Sequence, residues 1–159
     1  MLVNDITRHD QYYFKGLGSA VTSSLYDLDV YKRLMLDGYD SSYFHKSRYK
    51  SLKGELSKAT PFECKDKYDF AYWSANCVTL LCAPKRDEFL LSKLRQENSR
   101  LYYSAYSLYL MFCENGYSDA KSCFISIAEA FRILDIWDVE EVQYKGNLFH
   151  SYDDAICFS

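Results

Sequence analysis

The apolar residues Phe14, Leu17, Val21, Leu25, Leu28, Tyr31 and Met35 recur at intervals of three or four, the spacing that aligns side chains on one stripe of an α-helix. This pattern predicts a helix from about residue 10 to Leu36, closed by Asp37-Gly38, because glycine is the usual residue just past a helix C-terminus. Gly16 and Gly18 each cost about 1 kcal/mol relative to alanine in a helix interior. The regular part is therefore expected to begin after them, with Ser19 as a cap.

Helical spacing continues through most of the chain. A polar segment from Ser41 to Lys58 has a thin stripe, Tyr43 or Phe44, Tyr49, Leu52 and Leu56, and is expected on the outside of the fold. Thr60-Pro61 matches an N-cap followed by proline at the first helical position, and predicts a third helix running through Phe70, Trp73, Cys77 and Leu80 to Ala83, stopped by Pro84. Arg86 to Glu114 reads as one long helix with Leu90, Leu94, Leu101, Ala105, Leu108 and Phe112 inward. Its later half is apolar on all sides, which suits a central helix. Asn115-Gly116 ends it, and Ser118 is expected to cap a shorter helix with the stripe Phe124, Ile127, Ala128, Phe131 and Leu134. The short connection makes these two a helical hairpin. Past Trp137, the runs VEEVQY and LFHSYDDAICF flank Gly146-Asn147, which predicts a small β-hairpin or an ordered tail lying on the helices. The fold class expected is mainly all-α: an antiparallel bundle of about five helices in a single globular domain spanning 1–159.

Composition narrows the function. No apolar run approaches the roughly 20 residues that cross a bilayer, and the opening MLVNDITRHDQYY has neither a basic nor an apolar signal region, so a cytoplasmic protein without membrane contact is expected. The six cysteines form no CxxC pair, and His9, His45 and His150 are far apart with no second ligand at helical spacing, so no metal or cofactor is expected. Residues 1–67 carry eleven bases and nine acids, and residues 68–159 carry eight and thirteen, which makes the chain dipolar. Its pI of about 5.6 argues against general phosphate binding, which needs a coherent positive surface.

Acids and aromatics converge in the last quarter. Asp135, Asp138, Glu140, Glu141, Asp153 and Asp154 stand against one base, Lys145, among Trp137, Tyr144, Phe149, Tyr152 and Phe158. Carboxylates steer a basic partner and flat stiff rings supply contact area at low entropic cost. The expected partner-binding residues are Trp137, Asp138, Glu140, Glu141, Tyr144, Tyr152, Asp153 and Asp154, with no catalytic residue. The expected function is a small inhibitor that occludes a protein with a basic surface, in the manner of a toxin-neutralising immunity protein or a phage-encoded defence blocker. Its partner would then be a nuclease toxin or a nucleic-acid-binding complex. The alternative is a nucleic-acid adaptor using segment 43–53, where Lys46, Arg48, Lys50 and Lys53 interleave with Tyr43, Phe44 and Tyr49. A small cysteine hydrolase would need Cys123, His150 and Asp153 to meet. An acid–base pair from Glu140 and Glu141 is disfavoured because adjacent residues point different ways.

Overall fold

The computed structural model describes residues 8–40, 42–82 and 86–159; their side chains are described except at 8–15, 42–45, 47 and 48. Among these residues the chain forms α1 (Arg8–Leu36), α2 (Ser42–Leu56), α3 (Lys67–Cys82), α4 (Glu88–Glu97), α5 (Ser99–Asn115), α6 (Ala120–Ile133), β1 (Val142–Tyr144), β2 (Asn147–Phe149) and α7 (Tyr152–Phe158). The fold is a helical bundle with a two-stranded antiparallel hairpin, as the periodicity implied. No helix among the described residues is long and apolar enough to cross a membrane.

Helix α5 is central, packed against α3, α4 and α6, while α1 lies across α3 and α6. Leu17, Val21, Leu25 and Leu28 of α1 and Leu101, Ala105, Leu108 and Phe112 of α5 enter one contiguous core. The side chains of Phe14, Tyr43, Phe44 and Arg48, and the expected stop at Pro84, lie outside the described residues. Helix α1 runs straight through Gly16 and Gly18 instead of starting after them. Burial of a stripe that long outweighs two weak helix formers, since apolar area stabilises by about 25 cal/mol per Å². Its end is as expected: Gly38 has φ +73°, and Tyr39 and Gly38 donate back to Leu34 and Met35 carbonyls at 2.9 and 3.2 Å.

Three further boundaries depart from the sequence reading. Helix α3 begins at Lys67, six residues after Pro61, because Asp66 Oδ1 accepts from the amides of Tyr68 and Asp69 at 2.9 Å each while Asp69 Oδ2 accepts from Lys65 N at 2.9 Å. This reciprocal cap satisfies amides that Thr60 would leave exposed. The intervening loop is pinned by Phe62, buried at φ +53° with its ring edge-on to Trp73 at 5.1 Å. The long helix from Arg86 is two helices, divided at Asn98, whose side chain caps α5 by accepting from Leu101 N at 3.0 Å. Helix α6 is capped by Asp119 in place of Ser118, with Ser122 completing a capping box. The break at Asn98 and the short α7 raise the helix count from about five to seven among the described residues.

Candidate functional site

The C-terminal acidic–aromatic segment begins where α6 ends. Asp135 and Ile136 donate to the carbonyls of Arg132 and Phe131 at 3.1 and 3.0 Å, with Asp135 in the left-handed region at φ +55°. That is a Schellman closure with aspartate where glycine is usual, and buried Ile136 and Phe131 provide its apolar contact. The turn brings Asp135 and Asp138 together at the start of α3. Lys67 Nζ lies 3.3 Å from Asp135 and 3.1 Å from Asp138, and the Tyr68 hydroxyl donates to Asp138. Partial burial opposes ionisation of Asp138, but the Tyr68 and Lys67 contacts outweigh it and hold the carboxyl below its ordinary value.

Glu140 points the other way. Its Oε1 accepts from Gly18 N at 3.0 Å in the middle of α1, and a Cβ on residue 18 would stand 2.7 Å from Oε2. Glycine at 18 is therefore what admits the carboxyl to the helix backbone. Burial raises the Glu140 pKa to about 7, against the lowering effect of the Gly18 hydrogen bond and with a further push from Glu141.

The hairpin registers Val142 with Phe149, Gln143 with Leu148 and Tyr144 with Asn147, around Lys145-Gly146, both at positive φ. The two-residue period sends Val142 and Phe149 inward and leaves Leu148, opposite Gln143, exposed. An aromatic cluster fixes the hairpin to α6. Phe124 stacks on Tyr144 at 4.4 Å and 10°, Phe149 lies 5.4 Å from Phe124, and Phe158 of α7 meets Phe149 at 5.1 Å and Tyr144 at 6.2 Å. Trp137 donates from Nε1 to Ala128 O at 3.1 Å and sets its ring edge-on to Phe131 at 5.5 Å. Tyr152 lies under the Arg132 guanidinium at 5.3 Å, and a hydrogen bond to Glu129 raises its hydroxyl pKa. Ser151 caps α7, whose first turn holds Asp153 and Asp154 where the helix dipole favours acids.

The eight expected contact residues thus separate into two groups. Trp137, Asp138, Glu140, Tyr144 and Tyr152 are engaged within the chain and build the hairpin–α7 cap. Glu141, Asp153 and Asp154 are exposed. Glu141 has His150 Nδ1 at 3.5 Å, while no cation among the described residues pairs with Asp153 or Asp154. Leu148 and Phe158, 49% and 45% exposed, belong to the same cap and are not among the eight expected contact residues. Leu148 could have been found from the strand alternation; Phe158 was counted among the aromatics of the segment, but the seven-residue α7 is too short for a period to show that it is exposed.

Elsewhere, Tyr49 is buried in the core with burial pushing its hydroxyl pKa up to about 12, which removes it as a stacking residue of segment 43–53; Lys46, Lys50 and Lys53 are exposed. Cys123 gives its thiol hydrogen to Tyr117 O at 3.3 Å, burial raises its pKa, and no hydrogen bond joins it to His150 or Asp153. A cleft of about 200 Å³ between α2 and α3 is lined by Ser51, Leu52, Tyr72, Trp73, Asn76 and Thr79. Among the described residues, no group of three or more His, Cys, Asp or Glu is placed to hold a metal ion. No protein-family model matches the chain, and comparison with curated proteins and with solved structures gave no match.

Proposed function

We propose that this chain is a small protein-binding inhibitor whose hairpin–α7 cap occludes a partner with a basic surface. One observation carries the reading: the cap is fixed to α6 by stacked aromatics, yet its segment leaves Leu148, Phe158, Glu141, Asp153 and Asp154 exposed. A surface of this kind loses little entropy on binding because its scaffold is already ordered. Its exposed apolar side chains supply contact area, and its exposed carboxylates pair with Arg or Lys of the partner and accelerate encounter.

Trp137, Tyr144 and Tyr152 act in this mechanism as supports of the cap, and Asp138 as a brace to α3. Occlusion is steric and electrostatic, with the carboxylates standing where a nucleic-acid-processing partner would hold phosphate. A nuclease toxin or a nucleic-acid-binding complex is the partner class this chemistry fits. The test is affinity capture from the native cell lysate with the full chain and with a Glu141→Lys, Asp153→Lys, Asp154→Lys variant. One basic protein held by the parent chain and lost from the folded variant is the expected result. Equal retention by both would refute the cap as the contact surface.

A further inference from the structure

A second surface lies on α4 and α5. With Leu101, Ala105, Leu108 and Phe112 turned inward, the helical period gathers Tyr102, Tyr106 and Tyr109 along one flank of α5. The rings of Tyr102 and Tyr106 are parallel to within 7° at 6.2 Å, and Tyr106 and Tyr109 follow at 6.4 Å. Tyr103, 51% exposed, sits edge-on to Tyr102 at 5.3 Å. A guanidinium stands at each end: Arg95 lies 5.9 Å from the Tyr102 ring and 5.7 Å from that of Tyr103, and Arg86 lies 5.3 Å from Tyr109. Neither arginine forms a salt bridge among the described residues.

We propose that this stripe binds single-stranded nucleic acid, with bases stacking on exposed Tyr103 and on what the half-buried Tyr102, Tyr106 and Tyr109 present to solvent, and with Arg95 and, less freely, Arg86 taking phosphates. The inference does not rest on the reading of the cap. Two guanidinium charges with no salt bridge among the described residues are held on rings about 10 Å apart along α5, the rise of seven helical residues. A guanidinium lying over a ring can still turn N–H groups to phosphate oxygens; Arg86 keeps only part of its edge for this, since its Nε donates to the Leu81 carbonyl at 3.4 Å and it also bonds the Tyr109 side chain. Rings in series suit successive bases, since every base has a π-face and stacking tolerates any sequence.

Nearby acids do not cancel the charge at Arg95. Asp87 is engaged in capping α4, Glu97 lies roughly 160° around α4 from Arg95, and Glu88 is about two turns away. An acidic peptide would satisfy the arginines but leave the row of rings unused, so it serves as the competitor in the test.

The experiment is fluorescence anisotropy of a labelled oligothymidylate with the full chain at low and at moderate salt. Binding that weakens with salt is expected, with Tyr103→Ala reducing affinity about tenfold or more. Arg95→Gln should weaken binding and lower the salt slope by about one. Lys50→Gln with Lys53→Gln should leave affinity unchanged, and polyglutamate should displace the oligonucleotide poorly. Tyr103 and Arg95 are both exposed, so these variants keep the fold, which far-UV circular dichroism checks. Absence of binding at low salt overturns the proposal. So does binding that Tyr103→Ala leaves intact, or that polyglutamate abolishes at equal charge, because charge alone would then explain it.

Discussion

Replacing Glu140 with glutamine should make the protein more stable above neutral pH and leave it unchanged in acid. Glutamine keeps an oxygen to accept from Gly18 N and nearly the same volume, so the variant removes the ionisation and little else. Glu140 titrates at about 7 in the folded chain against an ordinary 4.5. Below 4.5 both folded and unfolded chains hold the proton. As pH rises toward 7 the unfolded chain gives it up first, so stability falls across that window and the loss is complete above the folded value. Full conversion of the shift would give about 3 kcal/mol. The side chain is only part-buried, however, and solvent screening reduces the expected effect to about 1–2 kcal/mol. Urea unfolding of parent and variant, followed across this pH range, measures the difference directly, and other titrating groups cancel in it. The variant should gain about 1–2 kcal/mol at pH 8 and nothing at about pH 3. Equal stability at both pH values, or a variant weaker at pH 8, would refute the argument that burial dominates at this carboxyl.

Other substitutions test neighbouring steps. Gly16→Ala adds a methyl to open space and should stabilise by about 0.5–1 kcal/mol, read as a small rise in Tm without change in its pH dependence. Gly18→Ala should instead expel the Glu140 carboxyl, and its stability should vary with pH less than that of the parent chain, as measured by the same urea titration. Asn98→Ala removes the α5 cap and should cost about 1 kcal/mol in chemical denaturation. Phe149→Ala empties the centre of the aromatic cluster and should destabilise by about 3 kcal/mol. Amide exchange in 142–158 should then accelerate more than in α3 or α5.

Much of the fold could be read from apolar spacing, because α1, α5 and α6 each bury one stripe and end at a glycine or an aspartate in a left-handed turn. The failures have local causes. Thr60-Pro61 has the form of a helix start, but Asp66 and Asp69 cap each other's turn more completely, and Phe62 is needed as a plug against Trp73. The break at Asn98 was hidden because Leu94 and Leu101 are seven residues apart, two helical turns, so the stripe stays in phase across it. At the cap, three carboxylates close in sequence have three surroundings: Asp138 meets Lys67, Glu140 enters α1, and Glu141 faces solvent. Composition identified the acidic segment, but the atoms that sort its members belong to α1 and α3, and the partner of Glu140 is 122 residues away in the chain.

If the chain is an inhibitor of the kind proposed, its partner sits on the exposed edge of the cap. Photo-crosslinking in the native cell, with the reactive group placed at Leu148 and, as a control, at exposed Lys50, tests it most directly. One discrete protein adduct is expected from position 148, absent from position 50. No adduct from 148, or the same adducts from both positions, would contradict it.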